Sequence, residues 1–228
     1  MVKKFVGIVI ADSDEYRPLE EKMSELGGNE IKVAGRKAHE FNLGNCRVVS
    51  VLCGIGKVNA AVATTALAEK GAEIILNCGL SGGISGISKN EITVPNRFLE
   101  HDFDLTGIGY KLCEKPGQEY IYFSDTELSK NIASRFADAK MGTAVSGDCF
   151  VSDDELRTHL KDEFEAMSCD METAAIAYIC SVYCIKFGCV RKISDDAGSD
   201  AGTSYRQINA LAEDVLVNAI LSVIADMG

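Results

Sequence analysis

The sequence predicts a three-layer α/β/α sandwich around a central mixed sheet, and three observations carry that prediction. Short apolar runs of strand length recur along the chain. Segments with helical spacing of apolar residues lie between them. Turn residues separate the two kinds of segment, and no repeat, low-complexity tract or Pro-rich linker divides them. A single domain over residues 1–228 is therefore expected.

In chain order, residues 4–10 (KFVGIVI) read as a buried strand. Residues 14–26 read as an amphipathic helix stopped by Gly27-Gly28. Residues 38–43 and 47–53 read as strands joined at Gly44-Asn45, a hairpin signal. An Ala- and Val-rich helix spans 57–70, and a second buried strand spans 73–78, with a Gly-rich turn over 79–86. Residues 91–101 look extended, and the aperiodic stretch 102–118 reads as a long loop. A helix at 126–137 and a strand at 142–145 follow. In the next helix, 171–184, Met171, Ala174, Ala175, Tyr178, Ile179 and Val182 share one face. A strand at 187–193 and one long closing helix at 203–227 complete the reading.

Composition narrows the function. Apolar residues make up 46% and charged residues 25%, close to globular averages, which excludes a disordered chain. The net charge is −11 with no basic cluster to offset it, which disfavours nucleic acid and anionic membranes as partners. No apolar run approaches the roughly 20 residues of a transmembrane helix. Met1-Val2-Lys3-Lys4 begins like a signal peptide, but the apolar run that follows is short and acidic residues come at once, so a cytoplasmic protein is expected. The nine cysteines are odd in number and contain no C-x-x-C, so they read as reduced, mostly buried small hydrophobes. No His/Cys pair has ligand spacing, and neither a metal nor a cofactor is expected.

Two Gly-rich motifs have sharp and bland readings. Gly54-Ile55-Gly56-Lys57 opens a helix, where backbone N–H groups can hold an anion. A phosphate loop fails on Val51 and Val58, and a dinucleotide fingerprint fails on Asn59, which leaves a tight strand-to-helix turn or a ligand contact. Gly79-Leu80-Ser81-Gly82-Gly83 fits the G-x-S-x-G nucleophile elbow, but the residues after it do not open a helix, so a loop admitting close ligand approach is favoured. Three acids stand at element ends next to apolar sequence: Glu15, Glu172 and Asp195. Ligands bind at the carboxyl ends of strands in open α/β sheets, so three carboxylates converging there with Arg191 would suit acid–base chemistry on a polyol or heterocycle. Singly, Glu15 and Glu172 read equally well as helix N-terminal acids and Asp195 as a loop cap.

At these residues the sequence resembles the methylthioadenosine/S-adenosylhomocysteine nucleosidases of the nucleoside phosphorylase superfamily. The resemblance runs nearly end to end. It rests on Gly7-Ile8-Val9-Ile10 leading to Glu15, on Cys53 to Ala61, on Asn77-Cys78-Gly79 with Gly82-Gly83, and on His101-Asp102-Phe103-Asp104. Tyr110, Pro116-Gly117-Gln118, Val145-Ser146-Gly147-Asp148, Asp170 to Ala177, and Arg191 with Ile193-Ser194-Asp195 complete it. The resemblance implies a nucleoside phosphorylase-like fold and hydrolysis of the N-glycosidic bond to adenine, with a place in methionine salvage. Asp195, steadied by Ser194, would protonate adenine N7; Glu15, helped by Arg191, would activate water; Glu172 would bind the ribose hydroxyls over Met171. Phe150 would stack on the base, Val151 would read its edge, and Tyr205 would close over it. The Gly-rich loop Leu80-Ser81-Gly82 would touch substrate, although Leu80 stands where the family has a smaller residue. The resemblance also implies a homodimer in which Ile108 and Tyr110, in loop 105–116, line the 5′ tail of a neighbouring subunit's substrate. The strand ending Leu76-Asn77-Cys78-Gly79 lacks the arginine of phosphate-using relatives, which favours water as nucleophile. A sister specificity (futalosine-type, purine or uridine), a non-catalytic nucleoside binder and a serine hydrolase at Ser81 are the competing readings.

Overall fold

The structure is a computed structural model and describes residues 3–211 and 213–227. Strand β1 (Lys4–Ile10) places Phe5 and Val9 in one apolar cluster and Val6, Ile8 and Ile10 in another, the period-two signature of a strand covered on both faces. Helix α1 (Ser13–Glu21) starts where the Asp12 carboxylate accepts the Asp14 N–H at 2.8 Å. It ends at Glu21 rather than residue 26, because Lys22 N–H already bonds to Leu19 and the chain continues in turns to Gly28. Strands β2 (Asn29–Val33), β3 (Arg36–Leu43) and β4 (Cys46–Leu52) form an antiparallel meander. Helix α2 (Lys57–Glu69) and strand β5 (Ile74–Gly83) follow. Then come β6 (Ile92–Thr93), β7 (Arg97–Glu100), a 3-10 turn at Thr106–Ile108, β8 (Tyr122–Phe123), α3 (Thr126–Ala133) and β9 (Thr143–Ser146). The C-terminal third holds α4 (Asp154–Phe164), β10 (Ala166–Asp170), α5 (Thr173–Val182), β11 (Lys186–Asp195), α6 (Ala201–Leu211) and α7 (Val215–Ala225).

The sheet runs β2-β3-β4-β1-β5-β10-β9-β7-β8, and β11 pairs with β5 and carries β6. It is mixed: β1 is parallel to β4 and β5, while β10 is antiparallel to β5. Helices α2 and α5 contribute Leu67 and Ala174 to the cluster on one face, with Val9 and Ile75. On the other, α1, α3 and α7 contribute Leu19, Ile132 and Ile220 against Ile8 and Leu76. Each fully buried aliphatic side chain of this kind contributes roughly 1.5–3 kcal/mol. A smaller cluster, with Val145, Leu160 and Phe164, lies under α4.

Strand β5 decides where a site can form. Its first half, Ile74–Asn77, runs between β1 and β11; its last residues, Gly82 and Gly83, lie between β10 and β11. At that change of neighbour the carboxyl ends of β1, β10 and β11 meet.

Several sequence expectations are corrected. The Gly-rich segment is not a turn from residue 79: Gly79–Gly83 continues β5, with Gly79–Ser81 paired to Arg191–Ile193 of β11 and Gly82 to Asp195 across a bulge. The glycine there serves close approach, since a Cβ on Gly79 would lie 2.5 Å from Arg191 Nη1 and 2.7 Å from Glu15 Oε2. The closing helix is two helices meeting at 56°. Between them Glu213 pairs with Lys192 and Asp214 with Lys22, ion pairs that draw the chain out of helical register. On α5 the buried set is broader than one face, Thr173–Ala177 and Cys180, whereas Val182 is exposed. Strands β2, β8 and β10 and helix α4 have no counterpart in the sequence reading. Among the described residues no single helix is long and apolar enough to cross a membrane.

Candidate active site

A cavity of about 280 Å³ opens at this junction. One wall is the start of α1, where Glu15 sits in the first turn, one turn beyond the Asp12 cap. A second wall is the Leu80-Ser81-Gly82 stretch of β5. A third is formed by Met171 and Glu172, the latter at the N-cap of α5. Ser194 and Asp195, at the end of β11, line it as well, with Val151, Tyr205 and the exposed Phe150. The structure thus brings Glu15, Glu172 and Asp195 onto one cavity.

Each carboxylate has its own environment. Among the described residues Glu15 accepts one hydrogen bond, from Leu80 N–H to Oε1 at 2.7 Å. Burial lifts its pKa to about 7, against the pull of Arg191 and the Leu80 N–H and with added repulsion from Glu172. Glu172 Oε1 accepts the Gly56 N–H at 2.7 Å, so the anion held at the start of α2 is the protein's own carboxylate. Gly56 can present that N–H because its φ of +100° suits only glycine. Burial, and then the negative charge of Asp170, raise Glu172 to about 7 as well. Asp195 is also raised, mainly by burial, although Ser194 and the Ala197 N–H favour its charged form.

The Ser194 hydroxyl lies 2.6 Å from Asp195 Oδ2 and 3.3 Å from the Ser81 carbonyl. That hydroxyl can donate to an ionised Asp195, or accept from a protonated one while donating to the Ser81 carbonyl.

Arg191 departs from the sequence expectation. It does not line the cavity but lies beneath it, 1% exposed. A buried guanidinium needs acceptors, and this one donates to Asn77 Oδ1 at 2.7 Å, to Thr173 Oγ1 and to the Leu80 carbonyl, and pairs with Asp170 at 3.4 Å. Asp170 in turn accepts from Ser146 Oγ at 2.6 Å and from the Glu172 and Thr173 amides at 3.0 and 2.9 Å. Burial opposes its charge, yet Arg191 and these donors hold its carboxyl below the usual range.

Phe150 and Tyr205 meet edge-to-face with centroids 5.6 Å apart across the mouth. Ser81 Oγ is buried and has no hydrogen-bond partner among the described residues. No helix follows β5 to make Ser81 an elbow nucleophile. Ile108 and Tyr110 stand outside the cavity, on and just after the exposed 3-10 turn. Sequence reasoning missed Asp12, Ile55, Cys149 and Asp170, which also line it. Signals existed for three: the strand-end Asp12 before a helix, Ile55 forced outward between two glycines, and Asp170 directly before Met171-Glu172. Among the described residues no group of His, Cys, Asp and Glu is arranged to hold a metal ion.

Comparison with known proteins agrees with this geometry. Residues 5–225 match the sequence profile of the phosphorylase superfamily. A 5′-methylthioadenosine/S-adenosylhomocysteine nucleosidase of Staphylococcus haemolyticus is 35% identical over 209 residues, 89% of this chain and 91% of that protein. This chain belongs to that nucleosidase family. Among solved structures, the nucleosidase of Neisseria meningitidis in complex with methylthio-immucillin-A superimposes with a TM-score of 0.90 at 29% identity, over 98% of this chain and 99% of that one. The futalosine hydrolase of Helicobacter pylori gives a TM-score of 0.89 at 24% identity, over 99% of this chain and 98% of that one, a likeness of fold alone. The nucleosidase family therefore shares its scaffold with a sister specificity, and the choice of substrate rests on the cavity.

Proposed function

We propose that this family member hydrolyses the N-glycosidic bond of 5′-methylthioadenosine and S-adenosylhomocysteine, releasing adenine and a 5-thio-substituted ribose. The observation that carries the reading is the placement of Glu15, Glu172 and Asp195 on one cavity whose mouth is aromatic. In this reading adenine stacks on Phe150 beneath Tyr205, with the backbone of Val151 along its edge. Asp195 delivers its proton to N7, which makes adenine a neutral leaving group. As that proton leaves, Ser194 turns its hydrogen from the Ser81 carbonyl to the new carboxylate.

The sugar, resting on Met171, gains positive charge as the bond lengthens. Glu172 accepts its hydroxyls and faces the growing cation, so the attraction strengthens toward the transition state. Glu15, ionised, takes a proton from the attacking water. Arg191 acts from below: it holds Asp170 and the strand end and lowers the cost of charging Glu15. Ser81 Oγ is free to bond substrate, and Leu80 narrows the cavity where relatives have a smaller side chain.

The homodimer belongs to the same proposal. Ile55, just before α2, and Val58 and Val62 on it are 50%, 73% and 40% exposed, and Val182 is exposed on α5, which shares an apolar cluster with α2. An apolar strip beside a cavity mouth suits a second copy, whose Ile108 and Tyr110 would complete the 5′ end. The reading treats residues 1–228 as one functional unit, acting in the cytoplasm with its nine free cysteines reduced and feeding methionine salvage. The test is release of the free base from a nucleoside panel, with and without phosphate. Methylthioadenosine and S-adenosylhomocysteine are expected to react in phosphate-free buffer. Release only with phosphate, or only from futalosine or uridine, contradicts the proposal.

A further inference from the structure

A second cavity, of about 30 Å³, shares Glu15 and Leu80 with the first and is otherwise walled by Lys192, Asn209, Glu213 and apolar residues near the α6–α7 corner. That volume has room for a water molecule, which needs two to four polar partners. Three polar side chains stand around it with unused capacity. Asn209 is 8% exposed; its Nδ2 donates to Asp12 Oδ1 at 3.1 Å, while its Oδ1 is buried and unpartnered among the described residues. A buried amide oxygen without a donor costs about 1–3 kcal/mol, so a donor is expected there. Lys192, 7% exposed, bonds through Nζ to Glu213 and has further N–H groups to offer. Glu15 accepts only the Leu80 N–H among the described residues.

We propose that a water in this second cavity bridges Asn209 to Glu15, and that Asn209 is thereby a positioning residue for the carboxylate that handles the attacking water. The inference rests on that role of Glu15. The bridging water donates one hydrogen to Asn209 Oδ1 and the other to the Glu15 carboxylate, and accepts from Lys192. Every polar group around the cavity is then satisfied. The bridge also links two events. Tyr205 lines the first cavity and Asn209, four residues later on α6, lines the second, the spacing of one helix face. Seating α6 over the ligand and completing the Glu15 hydrogen bonds become one motion.

The pH dependence of kcat/KM separates this from a mere tether. Glu15 also feels Arg191 from β11, Glu172 at the start of α5, Asp12 at its own cap, Lys192, the thiols of Cys53 and Cys78 and the Tyr205 hydroxyl. Asn209→Leu leaves these side chains unchanged, although Asp12 loses its Asn209 donor, and fills the cavity with carbon. Losing a donor to the ionised form raises the Glu15 pKa, so the acid limb is expected to move up by about one unit, with kcat/KM about tenfold lower below it. A raised KM with an unmoved limb makes Asn209 only a strut for α6 and overturns the proposal. Should the variant not fold, a high-resolution crystal structure of the unsubstituted enzyme decides. A water within hydrogen-bond reach of both Asn209 Oδ1 and Glu15 supports the bridge, and a cavity without one overturns it. Glu15→Gln is measured in parallel: wild-type turnover there defeats the role of Glu15 itself, a result distinct from an unmoved limb.

Discussion

Asp170 is buried and Glu15 half-buried, and both feel Arg191, yet the protein holds them on opposite sides of the ordinary carboxylate range. Asp170 is surrounded by donors, with the Ser146 and Thr173 hydroxyls, two backbone amides and a guanidinium turned toward it. Its charge is stabilised more than burial opposes it. Among the described residues Glu15 has a single N–H, from Leu80, and its pKa rises to about 7. Burial alone therefore does not mark a reactive group. A carboxylate with all its donors supplied is structural, and one left short of them can exchange a proton near neutral pH. Glu172 and Asp195 belong with Glu15 by this measure, since both are raised and both lie on the cavity.

Substitutions can break or sharpen that contrast. The largest effect is expected at Asp195: Asp195→Asn removes the acid and should lower kcat roughly 10³-fold or more while ligand affinity stays within about tenfold. Steady-state kinetics beside calorimetric titration measure both, and retained turnover removes Asp195 as the acid. Glu15→Gln should cost about 10²–10³-fold in kcat, with folding intact. Asp170→Asn should do the reverse. It leaves Arg191 uncompensated, at about 3–5 kcal/mol of unfolding free energy in urea denaturation. A stable Asp170→Asn protein with only its chemistry impaired would erase the distinction between the two groups. Phe150→Ala should raise KM about tenfold, the worth of one base stack, with kcat little changed.

The smallest effect concerns stability and pH. Glu15 and Glu172 have folded pKa values above their unfolded ones, so their contribution is full below about 4.5 and is lost as pH rises through about 7. Thermal unfolding should therefore show stability declining from pH 5 to 8. Glu15→Gln should flatten that slope and add roughly 1 kcal/mol at pH 8. For activity the signs are opposite for base and acid. The rate falls below pH 7 as Glu15 protonates, whereas loss of the Asp195 proton, which burial shifts above the ordinary aspartate range, lowers the rate in the opposite direction.

Much of this was legible in the sequence, and the exceptions have physical causes. The run Lys4–Ile10 reads as a strand because both faces are buried and every residue agrees. Glycines 79, 82 and 83 read as a turn because local propensity says so, but their purpose is tertiary: Arg191 and Glu15 occupy the space a Cβ would take at residue 79. The break between α6 and α7 is hidden because apolar periodicity runs through it, and only the partners Lys192 and Lys22 show why the chain turns. At the site, Glu15, Glu172 and Asp195 could be picked out from element ends and family resemblance. That Arg191 works from beneath, and that Asp170 is its partner, depends on strands brought together from distant parts of the chain. Ile108 and Tyr110, assigned a part by family resemblance alone, lie away from the cavity.

The contrast between a satisfied and a deprived carboxylate is most directly tested by a carbon-13 NMR titration of the side-chain carboxyls in the unliganded enzyme. Two resonances are expected to titrate near pH 7, one disappearing in Glu15→Gln and the other in Glu172→Gln, while the Asp170 resonance stays ionised into the acid range. Glu15 and Glu172 both titrating below about pH 5, alongside Asp170, would contradict the account.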